Sequence, residues 1–141
     1  MTPRHQAREM ALQALYAWEV GRAEPDDALS LVLAEHWPDA DDASRKFAQT
    51  LVRGTVADLA ALDRLLAEQT ANWRLERFAM IDRLILRLAV WELRQTDTPP
   101  AVVLNEAIEL ARTFGGDDSV RFVNGVLDGM KIKLEGKSKK E

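Results

Sequence analysis

The sequence has 141 residues, of which 47% are hydrophobic and 30% charged, and its formal net charge is −4. This size and composition are typical of one globular domain and exclude a collagenous or fully disordered chain. The lack of cysteine excludes a disulfide scaffold, a thiolate metal site and a cysteine nucleophile. The longest uncharged run, residues 10–18, is far shorter than the ~20 residues of a membrane-spanning helix. Because the N-terminus also lacks the apolar stretch of a signal peptide, we expect a cytoplasmic protein.

The first half of the chain predicts three helices. Thr2 can cap and Pro3 can open a helix that runs to about residue 20, before the break at Gly21. A second helix is predicted over about 26–36. Apolar residues at three- and four-residue steps then predict one continuous third helix over about 42–69.

The second half predicts further helices and no strand. A mostly apolar stretch over about 74–94 is helical in its period, with a break expected near Phe78. A helix over about 101–114 ends at two glycines, and two aspartates cap a last helix over about 119–134. Because no alternating apolar pattern is sustained, the sequence predicts a compact all-α bundle. We expect a single helical domain over 1–134 and a frayed, lysine-rich tail over 135–141.

The charge is unevenly distributed along the chain. Residues 1–8 hold two arginines and no acid, and residues 129–141 hold five lysines against two acids. Residues 9–72 hold twelve acids against five bases. If the two basic ends lie together, an acidic protein can still present a small electropositive surface.

Tyr16 lies on the polar side of the first predicted helix. At 100° per residue, it falls almost opposite the apolar arc formed by Ala7, Ala11, Ala14, Leu15 and Trp18. One interpretation is a surface tyrosine that packs against a neighbouring helix. The other is a platform on which an RNA base stacks, because Arg4 and Arg8 precede it on the same helix.

Phe122 lies off the apolar face of the last predicted helix. That face is formed by Val120, Val123, Asn124, Leu127, Met130 and Leu134. Phe122 points the other way, above Gly125 and Gly129, although each glycine costs roughly 1 kcal/mol inside a helix. The glycines predict either a close contact between helices or a surface cleared for a ligand, and the wheel does not decide between the two.

The segment 114–119, with sequence Phe-Gly-Gly-Asp-Asp-Ser, leads into the last helix. A helix N-terminus is a ready site for phosphate. Asp117 and Asp118 would compete with phosphate there, so simple N-capping is the alternative interpretation.

The central helix carries three arginines on its polar edge, Arg83, Arg87 and Arg94. They could bind phosphate, but salt bridges to the acidic middle of the chain explain them more simply. Glu92 falls inside the apolar arc, where a carboxylate usually bonds a neighbouring backbone group, so we do not assign it a catalytic role.

The sequence offers few residues for catalysis. His5 and His36 are the two histidines, and they lie far apart along the chain. No glycine-rich phosphate loop, nucleophile elbow or HExxH motif is present, and one pair of aspartates does not predict a magnesium site. We therefore predict a binding protein that is not an enzyme and uses neither a cofactor nor a metal.

Three sequence motifs resemble those of the NusB family of bacterial transcription antitermination factors. They are Ala-Leu-Gln-Ala-Leu-Tyr at 11–16, Asn-Glu-Ala-Ile-Glu-Leu-Ala at 105–111 and Phe-Val-Asn-Gly-Val-Leu-Asp at 122–128. The segment 83–93 is also similar to the family's central helix. The resemblance covers about residues 4–130 in the family's order and spacing.

The resemblance implies about seven helices in two closely packed bundles. It implies binding to boxA-type single-stranded RNA and pairing with small-subunit ribosomal protein ten, also called NusE. It further implies that this pair joins the transcribing RNA polymerase and supports antitermination, notably on ribosomal RNA operons. The RNA-binding residues it implies are Arg4, Arg8, Tyr16, Phe114, Asp118, Ser119 and Phe122, and we add Arg121 for its charge. The partner-binding residues it implies, in the central helix region, are Glu76, Arg77 and Asp82.

Two other functions compete with this one. A related helical domain precedes the catalytic domain of ribosomal RNA cytosine methyltransferases, but the sequence holds no glycine-rich methyl-donor motif and no cysteine nucleophile. A helical protein adaptor without RNA binding would agree with the net negative charge.

Overall fold

The computed structural model describes residues 2–70 and 78–140, with side chains to residue 134. Within these residues the chain forms seven α-helices and no strand, which confirms the all-α prediction. The helices are α1 (Pro3–Gly21), α2 (Pro25–His36), α3 (Asp42–Ala57), α4 (Leu59–Gln69), α5 (Met80–Gln95), α6 (Pro100–Phe114) and α7 (Asp117–Lys140). They fall into two units, Met1–Asp58 and Leu59–Glu141. No helix of the described residues is long and apolar enough to span a membrane.

In the first unit α1 packs against α2 and α3. Its start is capped as predicted, because the Thr2 hydroxyl oxygen accepts a hydrogen bond from the His5 N–H at 3.1 Å and Pro3 fills the first helical position. Its end is fixed by Arg22, which adopts a left-handed conformation with φ 57° and donates its N–H to the Trp18 carbonyl. These caps hold the start and end of α1, the helix that carries Arg4, Arg8 and Tyr16.

The predicted single helix over 42–69 is wrong, because the structure divides it into α3 and α4. Asp58 leaves the helical conformation, with φ −100° and ψ 14°, while its N–H still bonds the Gly54 carbonyl. A departure of one residue preserves the spacing of the apolar side chains, so the periodicity carries no signal of the break. The boundary between the two units falls at the same residue.

In the second unit α5 packs against α4, α6 and α7, and all its residues from Leu84 to Glu92 are buried. Arg87 is among them, and its guanidinium donates two hydrogen bonds to the Asp63 carboxylate, at 2.7 and 2.9 Å. The salt bridge predicted for this arginine is therefore confirmed. The described part of this region resumes at Phe78, and α5 begins at Met80. From residue 78 onward, the structure therefore agrees with the break expected near Phe78.

The turn between α6 and α7 differs from the predicted cap. Gly115 and Gly116 both donate their N–H groups to the Ala111 carbonyl, at 2.8 and 2.9 Å, and the Gly116 carbonyl accepts the first bond of α7 from Val120. Because α7 begins at Asp117, the two aspartates occupy its first turn and do not cap it. The helix also continues to Lys140, beyond the predicted end at about residue 134. The fraying of the tail stays a prediction.

Candidate nucleic-acid interface

Tyr16 is exposed on α1, with 47% of its surface accessible. On the same polar side of the helix, His5 Nε2 lies 3.3 Å from Glu9 Oε1. Gln13 accepts a 2.7 Å hydrogen bond from the indole N–H of Trp37. These polar side chains are thus paired with partners other than Tyr16, and about half of the tyrosine surface is accessible to a ligand. The exposure predicted from the helical wheel is confirmed.

The two arginines of the N-terminal arm have different environments. Arg4 is exposed, and its guanidinium carbon lies 4.6 Å from the centre of the Phe47 ring. Arg8 is only 3% exposed, and its guanidinium carbon lies 5.5 Å from the same ring. The structure therefore presents Arg4 to solvent, whereas Arg8 is part of the interior. Both distances are in the range of cation–π attraction.

Phe47 also belongs to this surface, although the sequence does not predict it there. It is half-buried on α3, where the helical period predicts only an apolar position of that helix. The signal available in the sequence was the four-residue spacing of Arg4 and Arg8, which places both arginines on one side of α1. Nothing in the sequence indicates that an aromatic ring of another helix lies beside both of them.

Gly115 allows a close approach between the end of α6 and the start of α7. A Cβ atom at this position would clash with the Ser119 hydroxyl and Cβ. Ser119 itself is only 8% exposed. Of the predicted RNA-binding residues in this turn, Ser119 is therefore packed against the glycine, whereas Phe114 is half-buried and Asp118 is exposed.

Asp118 and Arg121 form an exposed ion pair on the first turns of α7. The arginine donates to the aspartate carboxylate at 2.5 Å, and the side chains are 77% exposed for Arg121 and 99% for Asp118. Because a carboxylate at a helix N-terminus is stabilised by the helix dipole, Asp118 is well placed there without a ligand. The negative charge of Asp118 also offsets the positive charge of Arg121, the residue that we predict to bind RNA because of its charge.

Phe122 is half-buried and packs edge to face on Phe78, with ring centres 4.7 Å apart and an interplanar angle of 73°. It borders an open groove of about 280 Å³. The groove is lined by Gln69, Thr70, Arg121, Phe122, Gly125 and Val126. Phe78 is a second aromatic residue that the sequence does not predict to be part of this surface.

Gly125 and Gly129 of α7 have different roles, so the structure supports each of the two predicted interpretations at one position. A Cβ at Gly129 would overlap the side-chain amide of Gln69 on α4, whereas a Cβ at Gly125 would meet nothing within 4 Å. Gly129 therefore allows a close contact between helices, and Gly125 leaves space at the surface. Asn124, which the wheel placed on the apolar face, is exposed.

The predicted partner-binding residues are only partly described. Glu76 and Arg77 lie outside the described residues. Asp82 lies in the first turn of α5 and is 8% exposed. Its Oδ1 atom has no hydrogen-bond partner among the described residues, although a buried oxygen of this kind is normally bonded.

The described residues contain no group of three histidine, aspartate or glutamate side chains that could hold a metal ion. Instead, each unit carries arginine and aromatic side chains at its surface. Together with the seven helices, these features define a small all-α protein with surface features of a nucleic-acid-binding protein.

Comparisons with known proteins identify the family. The pattern of the NusB family matches residues 5–131. The transcription antitermination protein NusB of Desulforapulum autotrophicum is 41% identical over 133 residues, which cover 94% of this chain and 93% of that protein. The chain therefore belongs to the NusB family. The name of this relative describes a transcription antitermination protein, which supports the prediction of a protein that is not an enzyme and disfavours the methyltransferase alternative.

Solved structures share the fold. NusB of T. maritima superposes with a TM-score of 0.83 at 34% identity, over 92% of this chain and 91% of that one. A second structure, of the antitermination factors NusB and NusE in complex with dsRNA, superposes with a TM-score of 0.85 at 24% identity, over 94% and 98% of the two chains. At that lower identity, the second likeness shows the fold alone.

Proposed function

We propose that this protein binds boxA-type single-stranded RNA and pairs with small-subunit ribosomal protein ten (NusE) in the bacterial cytoplasm. The pair would join the transcribing RNA polymerase and prevent termination, notably on ribosomal RNA operons. The observation that carries the RNA-binding part is the 47% exposure of Tyr16, an aromatic side chain at the position where the family's first motif ends. A tyrosine exposed to this extent gains little from the fold, whereas it is suited to stacking on an unpaired base.

In the first unit, Tyr16 supplies the stacking surface and Arg4 supplies a cation for phosphate. Phe47 supports the Arg4 side chain from below, at 4.6 Å, which reduces the freedom that the arginine loses on binding. Arg8 acts from within the fold, because its burial leaves little of it accessible to RNA.

In the second unit, Phe114 and Phe122 supply half-buried aromatic surface on either side of the α6–α7 turn. Arg121 supplies a cation, since a guanidinium has five N–H donors and its pair with Asp118 does not use them all. Ser119 maintains the packing of the turn against Gly115. Asp118 lies beside the RNA and sets how strongly the helix N-terminus attracts phosphate.

The protein partner is proposed to contact the region of Glu76, Arg77 and Asp82. Asp82 lies in the first turn of α5 but is only 8% exposed, so it offers a partner little surface of its own. The solved complex of NusB, NusE and dsRNA supports this pairing as a property of that NusB protein, whose fold this chain shares.

Filter binding of a boxA-containing RNA and of a scrambled RNA, at a stated salt concentration and with or without the ribosomal protein, tests the proposal. We expect preference for boxA RNA and tighter binding when the ribosomal protein is present. Tyr16→Ala should weaken binding by about five- to a hundredfold, the range for the loss of one stacked base, whereas Tyr16→Phe should retain it. Equal binding of both RNAs, or full affinity in Tyr16→Ala, would contradict the proposal. Binding of the ribosomal protein without any RNA binding would favour the adaptor alternative.

A further inference from the structure

The charge of helix α7 changes sign along its length. Residues 117–130 hold three aspartates and one arginine, whereas residues 131–140 hold five lysines and one glutamate. The helix continues through these lysines to Lys140, beyond the end that the sequence predicts. The basic segment therefore belongs to the same helix that carries Arg121 and Phe122 near its start.

Three of these lysines occupy positions on the side of α7 that carries Phe122. At 100° per residue, the positions within about 60° of Phe122 are those of Lys133, Lys137 and Lys140. The acids between Phe122 and Lys140 are Asp128 and Glu135, and both fall more than about 100° away. The helix dipole favours cations in the last turn, but it favours no side of the helix. It therefore explains lysines near the end of α7 and not their alignment with Phe122.

Helix α4 meets this side of α7 at Lys133. The ammonium nitrogen of Lys133 lies 2.9 Å from Glu68 Oε2, so this ion pair offsets a negative charge of α4 beside the lysines. At ~1.5 Å per residue, Lys140 lies about 27 Å along the helix axis from Phe122. A stacked strand has a phosphate every ~3.4 Å, so about eight nucleotides span that distance.

We propose that RNA flanking the boxA element follows this side of α7 and that Lys137 and Lys140 bind its phosphates. The proposal rests on the RNA binding proposed above and adds a contact, independent of base sequence, outside the boxA element. The charge of the segment is complementary to phosphate. The alignment with Phe122 makes the lysines continuous with the proposed RNA-binding surface of the second unit.

The test compares three single-stranded RNAs by filter binding at several salt concentrations. One RNA ends at the boxA element, and the others carry about ten further nucleotides at the 5′ or the 3′ end, enough to span the distance to Lys140. We expect one of the two extended RNAs to bind wild type about 25-fold more tightly than the short RNA at 0.1 M salt and about fivefold at 0.3 M, the effect of two phosphate contacts. In Lys137→Gln/Lys140→Gln, this gain should disappear and the salt slope should fall by about 1.4 on that RNA. Affinity for the short RNA and the melting temperature should stay unchanged.

Two further variants separate charge at this place from charge in general. Lys137→Arg/Lys140→Arg keeps both cations and should bind the extended RNA as wild type does. Lys46→Gln/Arg64→Gln is the matched control, because it removes two cations from exposed positions of other helices and should keep the gain. Loss of the gain in either variant would overturn the proposal.

The outcomes also distinguish this proposal from the proposed function. Equal binding of all three RNAs by wild type, or an equal gain on both extensions, would overturn the path along α7 and leave boxA binding intact. Weaker binding of the short RNA by Lys137→Gln/Lys140→Gln would place the lysines at boxA itself, which also overturns it. Loss of affinity for the ribosomal protein, with full affinity for the extended RNA, would show that the lysines bind protein instead. Failure of wild type to bind the short RNA would overturn both proposals.

Discussion

Arg4 and Arg8 were predicted together as RNA-binding residues, but their environments predict two different effects of substitution. Arg4 is exposed, whereas Arg8 is buried, and both lie beside Phe47. Arg4→Gln should therefore weaken RNA binding and leave the fold unchanged. Arg8→Gln should destabilise the fold and leave the number of phosphate contacts unchanged.

The size of the Arg4 effect follows from counterion release. Each phosphate contact on a single strand contributes about 0.7 to the slope of log affinity against log salt. Losing the contact of Arg4 should lower the slope by that amount, and should lower affinity by about fivefold at 0.1 M salt and about twofold at 0.3 M. The melting temperature should stay within the range of a surface substitution, about 0.5 kcal/mol of unfolding free energy.

The size of the Arg8 effect follows from its burial. Its guanidinium lies 5.5 Å from the Phe47 ring and is shielded from water, so losing the contact should cost about 1–2 kcal/mol of unfolding free energy. For a chain of this length, that corresponds to a fall of about 3–6 °C in melting temperature.

Filter binding at several salt concentrations and thermal melting by circular dichroism measure both effects. Arg64→Gln is the matched control, since Arg64 is exposed on α4 and is not among the predicted RNA-binding residues. The reasoning is refuted if both arm variants lower the slope equally with unchanged melting, because Arg8 would then contact phosphate as Arg4 does.

Three further predictions concern other positions. Asp118→Asn should keep the melting temperature and hold or increase RNA affinity, most visibly at low salt, because a negative charge beside phosphate is removed; weaker binding in the filter assay would show that the carboxylate accepts a hydrogen bond from RNA. Gly129→Ala should raise the melting temperature more when Gln69→Ala is also present, since the new methyl group displaces the end of the Gln69 side chain; an equal gain in both backgrounds would contradict that contact. The Ser44 N–H bonded to the Asp41 carboxylate holds the pKa of that carboxyl below its ordinary value, so this group stabilises the fold above its unfolded pKa and loses that contribution as pH falls through the lower folded pKa. Urea unfolding from about pH 4 downward should therefore show wild type losing stability relative to Asp41→Asn, and parallel pH profiles would refute the role of the cap.

The helices could be predicted from sequence because their ends carry local signals. Thr2 and Pro3 begin α1, and a double glycine ends α6, through the backbone of neighbouring residues alone. The break at Asp58 has no such signal, because the helix resumes one residue later with the same apolar spacing. The start of α7 was misplaced by two residues because Gly116 provides the N-cap position, while aspartate is the more familiar residue there.

The exposed residues of the candidate site were predictable, whereas their contacts were not. The position of Tyr16 opposite an apolar arc follows from the helical period, and so does that of Phe122. The contact of Phe47 with two arginines and that of Phe78 with Phe122 join residues of different segments. Periodicity gives the face on which a residue lies but not the residue that faces it.

Several arginines of the described residues are engaged within their own unit. Arg87 donates to Asp63 in the second unit, and Arg53 donates to Asp26 in the first, at 2.9 and 2.8 Å. Arg8 is buried beside an aromatic ring. Counting basic residues in the sequence therefore overstates the charge that these positions can offer to RNA.

The predicted RNA-binding residues include two exposed arginines, Arg4 and Arg121. Two phosphate contacts give a salt slope of about −1.4 for a single strand, so charge alone provides a weak and sequence-independent attraction. Stacking on Tyr16 and Phe122, at ~1–3 kcal/mol for each base, then has to provide most of the binding free energy. Because stacking depends little on salt, we expect removal of a stacked base and aromatic-to-alanine changes to alter affinity more than ionic strength does.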